Sequence, residues 1–223
     1  VAATFNQELF DAVVRHQIGL QRFSGSVRNR TWELLDAVEA DIKRQILARA
    51  GAAGVDTPRR LRELERLLEV VRETRVAAWY KVDRQWFEDA RALALAEPGF
   101  FDSVIASALP GVELGSVLPD AQVLRNIAKA QPFQGRTLRE WARDMQRADL
   151  DRISQAIKIG MVQGEGPGAI ARRVVGSYSL RGRDGVTAIT RRQAESVVRT
   201  FVNGVGAEAR REYAKLNQDL APN

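Results

Sequence analysis

Apolar residues recur every three or four positions along most of the chain, the pattern of helices that each bury one face. Thr4 and Gln7 form a capping box ahead of Leu9, Phe10, Val13 and Val14. They predict a first helix that frays between Gly19 and Gly25. Leu34, Leu35, Val38, Ile42 and Ile46 lie on one stripe of a second helix, over about residues 31–50. Gly51, Gly54 and the Thr57–Pro58 pair then mark a break and a restart. Thr57 suits the N-cap there and Pro58 the first helical position, where a missing N–H costs nothing.

A long helical rod is predicted over about 58–96, roughly 55 Å at 1.5 Å per residue. Leu61, Leu64, Leu68, Val71, Ala78 and Val82 fall on heptad-like positions, and Arg75 interrupts the seam. Such a seam favours packing on a partner helix, from the same chain or a neighbouring subunit. Trp79, Tyr80, Trp86 and Phe87 crowd its second half and read as core or interface rather than as a base-stacking platform. Pro98–Gly99 reads as the end of the rod. For residues 100–118, short strands and a packed loop both fit the Pro110–Gly111 break and the apolar runs around it.

Asp120 to Ala130 reads as a short helix, stopped by Pro132 and a turn at Phe133, Gln134 and Gly135. Thr137 and Glu140 make a second capping box. Behind it Leu138, Trp141, Met145, Ile153, Ile157 and Met161 continue one apolar face. Gly160 and the run Gly164 to Gly168 punctuate, Ile170, Ala171, Val174 and Val175 form a short helix, and 176–186 is a Gly- and Arg-bearing loop. Thr190 and Gln193 make a third box, opening a last helix towards Leu216. The expected fold is mainly α and elongated, with at least six helices and little sheet.

Composition narrows the chemistry. The 223 residues include no cysteine and a single histidine, His16. That excludes a disulfide scaffold, a cysteine metal site, a thiol nucleophile and a histidine-rich metal cluster. Hydrophobic residues make up 45%, which suits a globular chain rather than a basic tail. No apolar run reaches the 18 or so residues of a membrane span. The opening VAATFNQELF lacks the basic and apolar regions of a secretory signal. It starts on Val1, so the chain is expected to be processed or not numbered from the translation start. An intracellular or virion setting fits.

The net charge of +6 is unevenly spread: residues 151–223 carry twelve basic and seven acidic side chains, net +5. Arg172, Arg173, Arg181, Arg183, Arg191, Arg192, Arg199, Arg210 and Arg211 are the candidates for contact with DNA or an acidic protein surface. A solvated helical surface is the plainer reading, and the i,i+4 pairs Arg191–Glu195 and Glu195–Arg199 would mostly stabilise or solubilise the last helix. The 164–168 glycines follow a helix and lack the Lys of a phosphate loop. A DNA-reading helix-turn-helix, with Arg172 and Arg173 on its second helix, is a further reading of this connection. Glu165, Asp184 and Glu195 read as surface acids, His16 as a boundary helix residue, and Ser177, Tyr178 and Ser179 have no evident base. No catalytic constellation, cofactor or metal site is expected.

The stretch from about Leu124 to Asn217 resembles the phage head morphogenesis family, minor head proteins similar to the F protein of phage Mu and to SPP1-type minor head proteins. The resemblance rests on Phe133, Gly135, Trp141, Gly160, Gly164, Pro167, Ile170, Thr200, Tyr213 and Asn217, in order and spacing. The family often continues into a cysteine-bearing, metal-binding-like segment, which these residues lack. Its usual Ser after the second glycine is replaced here by the Pro167 neighbourhood. The resemblance implies a helical minor-head domain over 120–223, with 1–119 as a helical attachment region. It implies a multi-copy assembly in the virion head near the portal vertex, formed in the host cytoplasm. Implied partners are the portal protein, the major capsid protein or other head components, and packaged DNA, with no membrane. A standalone helical nucleic-acid-binding protein is the second reading.

Overall fold

The computed structural model describes residues 2–50, 57–108 and 115–220, with side chains over 7–49, 61–107 and 115–219. The described residues form α1 (Ala2–Asp36), α2 (Glu39–Ala50), α3 (Thr57–Ala108), α4 (Ala121–Ala130), α5 (Leu138–Val162), α6 (Pro167–Val175) and α7 (Thr187–Leu216). A single 3-10 turn follows α7 at Gln218–Leu220. Pairing of the β type is limited, among the described residues, to one bridge between Phe133 and Arg136. The fold is mainly α.

Four boundaries differ from those the local signals predict. The first helix does not fray at Gly19–Gly25: α1 runs through both to Asp36. Leu20 and Val27 are buried on its inner face, and that burial outweighs a cost of about 1 kcal/mol per helical glycine. The rod does not end at Pro98–Gly99, since α3 continues to Ala108. Glu97 and Phe100, either side of the proline, are both held by His16, which keeps the turn helical despite the lost N–H. Residues 100–108 are therefore helix rather than strand or loop. The Pro110–Gly111 break lies outside the described residues, as do Gly51 and Gly54, and Thr4 outside the described side chains. The last helix begins at Thr187, not Thr190; Thr190 is fully buried and donates to Asp149 Oδ1 at 2.6 Å. The second helix does not run unbroken over 31–50: Leu34 and Leu35 belong to α1, the chain turns at Ala37–Val38, where half-buried Val38 packs on the core that Ile42 and Ile46 share, and α2 starts at Glu39. The signal at Asp120 holds: it caps α4 by accepting from the Gln122 N–H at 2.6 Å.

The helices contribute to two compact units, one of Val1–Arg28, Gln85–Arg139 and Val197–Asn223, the other of Asn29–Arg84 and Glu140–Ser196. Each draws on both sides of residue 120. In the first, the Trp86 ring lies 5.9 Å from Phe201, which in turn lies 6.3 Å from Phe133. Phe133 is seated because Gly204 on α7 offers no side chain: a Cβ there would stand 3.3 Å from it.

In the second unit, Ile42, Ile46, Leu67, Val71, Ile153, Ile157, Ile170 and Val174 form the core, which α2, α3, α5 and α6 supply. Arg75, the residue that interrupts the heptad seam, is wholly buried and donates to Asp149 at 2.6 Å and to the Leu35 carbonyl at 2.8 Å. The seam is buried from Val71 to Val82, with an ion pair where a leucine is expected, while Leu61 at its start is 56% exposed. Trp79 is buried too and donates to the same Asp149 oxygen, whereas Tyr80 is exposed. No helix among the described residues is long and apolar enough to cross a membrane.

Candidate functional site

Residues 176–186 connect α6 to α7 as a closely packed loop. Gly176 and Gly182 adopt φ of +83° and +72°, which L side chains resist. A Cβ on Gly176 would stand 2.6 Å from the Gly182 Cα, and one on Gly185 would overlap the Gly176 amide. The amides of Arg181, Gly182 and Arg183 donate to the carbonyls of Tyr178, Ser177 and Leu180. Asp184 accepts from the Ser177 N–H at 2.8 Å, and this bond holds its carboxyl below the ordinary Asp range. The loop is also tied to α6, because the Val186 N–H donates to the Arg173 carbonyl at 3.1 Å.

This scaffold presents a mixed tip. Tyr178 is fully exposed, Leu180 is 54% exposed, and Arg181 and Arg183 stand exposed beside them. Arg172 on α6 and Arg192 on α7 are exposed in the flanking segments of the same unit. An aromatic face with several cations on a preordered backbone suits phosphate contact with base stacking, or docking on an acidic protein surface.

The other candidate arginines are engaged inside their units. Arg173 forks onto both oxygens of Glu165 and reaches Gln163 at 3.0 Å. The Arg173–Glu165 hydrogen bond lowers the Glu165 pKa and raises that of Arg173. Arg191 reaches Asp36 at 2.7 Å and Glu39 at 2.6 Å, across from its own helix. Burial nevertheless dominates at Glu39 and raises its pKa against the pull of Arg191 and the Thr187 hydroxyl. Arg210 pairs with Glu97 at 2.7 Å. Arg211 pairs with Glu208 on the surface of α7, and Arg199 is exposed but partnered.

The motif residues of the second half have definable packing roles. Gln134 and Gly135 have φ of +50° and +76° between the paired residues Phe133 and Arg136, the signature of a type I′ turn. Gly160 lets α6 close on α5: a Cβ there would stand 2.7 Å from Ile170 Cγ1. Gly164, at φ +71°, ends α5, and Pro167 opens α6 after the Gly166 N-cap. Asn217 grips the Val117 backbone at both ends, accepting from its N–H at 2.7 Å and donating to its carbonyl at 2.9 Å. Tyr213 donates to Asp102 at 3.0 Å, and Ser116 donates to the same oxygen. Burial first, then Asp102, raises the Tyr213 pKa. Trp141 and Thr200 are half-buried and partnered.

A second polar cluster lies in the first unit. Glu97, with a side chain 1% exposed, bonds His16 Nε2 at 2.9 Å and Arg210. The His16 ring stacks on Phe100 at 3.8 Å between centroids, and Arg210 stands 5.6 Å over the Phe101 ring. Two donors on one buried carboxylate make this a lock between α1, α3 and α7.

Local sequence reasoning missed Tyr178 as a contact residue and Glu97 as the hub of this lock. The run Ser177-Tyr178-Ser179-Leu180-Arg181 carried a signal for the first, an aromatic among small and basic loop residues. No local signal marks Glu97, since its partners lie 81 and 113 positions away. Among the described residues no group of His, Asp and Glu is placed to hold a metal ion. Comparison with known proteins found no matching family model, no similar curated protein and no similar solved structure.

Proposed function

We propose that the chain is a minor head protein of a tailed bacteriophage, a structural component of the virion head near the portal vertex. The observation that carries this reading is the ordered series from Phe133 to Asn217, resembling the phage head morphogenesis family. Its Gly, Pro, Tyr and Asn positions build the turns and clasps of a helical fold. Its work is binding, not chemistry. Apolar helix faces mount it on portal, major capsid or other head subunits. Tyr178, Arg172, Arg181, Arg183 and Arg192 face packaged DNA or an acidic assembly surface, and the protein acts in head assembly, packaging or ejection.

A standalone nucleic-acid-binding protein is the second reading, favoured by the exposed Tyr178 among those cations. Two measurements separate the readings. Particles made by the genome that encodes the chain are purified and their proteins identified; the first reading requires the chain among them. DNA affinity of the purified chain is titrated against salt, with and without Gln at the four arginines. Direct DNA contact requires a salt slope that shrinks by about 0.9 per phosphate contact removed.

A further inference from the structure

The first helix is apolar on two opposite faces. Inward, it places Leu20 and Val27 in the first unit's core, with Leu9 and Phe23 half-buried beside them. Outward, Phe10 is 67% exposed, Val14 39% and Ile18 43%. An exposed stripe of large apolar side chains marks a contact face, and among the described residues nothing covers this one.

The charges beside the stripe say what fits it. At 3.6 residues per turn, Phe10 and Ile18 lie within about 40° of the line through Val14. Asp11, Arg22, Arg15 and Glu8 follow along one flank, about 60–120° round. The opposite flank carries Val13, Gln17 and Ser24, without charge. No ion pair among the described residues engages the four flank charges, which are all exposed. Acids sit at the N-terminal end of the flank and bases at the C-terminal end.

We propose that the outer face of α1 pairs antiparallel with the same face of a second copy of this chain, crossing at Val14. Phe10 then covers Ile18 of the second copy, Val14 meets its twofold mate, and Asp11 and Glu8 face the second copy's Arg15 and Arg22. A parallel pair sets the charged flank against the uncharged one and leaves all four charges unmatched, so orientation follows from charge placement. The contact is isologous and closes at two. Four helical turns fall short of the roughly 800 Å² per partner of a standard interface, so the dimer is weak, with a Kd on the order of micromolar. The inference rests on α1 alone and is independent of the phage reading.

The absence of cysteine makes the test clean. Phe10→Cys and Ile18→Cys variants of the full chain are oxidised separately and as an equimolar mixture, beside sedimentation of the cysteine-free chain. The expected result is concentration-dependent dimer, with disulfide dimer forming in the mixture at least about tenfold faster than in either variant alone. Val14→Glu abolishes the dimer while melting like the parent. Glu8→Arg with Asp11→Arg weakens it, and mixing that variant with Arg15→Glu, Arg22→Glu restores it. A monomer at every concentration, equal self-crosslinking of each variant, or a dimer indifferent to Val14→Glu overturns the proposal.

Discussion

Arg75 donates from Nε to Asp149 Oδ2 at 2.6 Å, and both side chains are fully buried. Trp79 and Thr190 also donate to Asp149, so one carboxylate joins α3, α5 and α7 within the second unit. Removing one partner of such a pair leaves the other's charge buried and uncompensated. Asp149→Ala therefore lowers unfolding free energy by about 3–5 kcal/mol, read by urea titration. A loss below about 1 kcal/mol contradicts the buried pair.

Glycines in this chain divide into those a side chain would improve and those it would wreck. A Cβ at Gly19 meets nothing within 4 Å, whereas one at Gly160 meets Ile170 at 2.7 Å. Gly19→Ala is expected to raise stability by about 0.5–1 kcal/mol. Gly160→Ala lowers it by about 1–3 kcal/mol through overpacking. Paired thermal melts give the two signs, and equal shifts in one direction contradict the close approach of α6 to α5.

The Asn217 clasp predicts a local effect rather than a global one. Asn217→Ala removes both bonds to Val117 and costs about 1–2 kcal/mol. Amide exchange at Val117 accelerates by at least about tenfold, while amides in the Ile153–Ile157 core keep their protection. Unchanged exchange at Val117 contradicts the clasp.

Glu39 supplies a pH signature. Its pKa is raised, chiefly by burial, so the folded state binds its proton more tightly than the unfolded chain does. Its contribution is then fully present below the unfolded value near 4.5 and is lost as pH rises through the folded value. The parent chain should lose stability across that window relative to Glu39→Gln, which has no such slope. Urea midpoints of both proteins, measured from pH 4 upwards, check it. A parent curve rising relative to the variant reverses the sign and refutes the assignment.

Much of the fold was legible because helices announce themselves locally. Thr57–Pro58, Asp120, Gly164 and Pro167 mark real ends, since capping and left-handed φ depend on nearest neighbours. Gly19, Gly25 and Pro98 misled for the converse reason. Their local cost is overridden by burial of Leu20 and Val27 and by the Glu97 lock, which involves residues far along the chain. Arg75 was visible as a break in the heptad, but Asp149 is 74 positions away, so the break could not be recognised as an ion pair. The candidate site was half legible. Nine arginines were named, yet Arg173, Arg191 and Arg210 are engaged by Glu165, Asp36, Glu39 and Glu97. Charge counting cannot separate a cation paired at home from one facing outward.

The proposed function requires a head protein whose basic loop surface binds DNA or an acidic neighbour. Asymmetric imaging of intact particles from the encoding genome tests it most directly, because neighbours and copy number appear together. Helical density matching α5 to α7 is expected at the portal vertex, with the Tyr178–Arg183 loop against DNA or an acidic surface. Particles that contain no copy of the chain, or copies whose loop faces bulk solvent, contradict it.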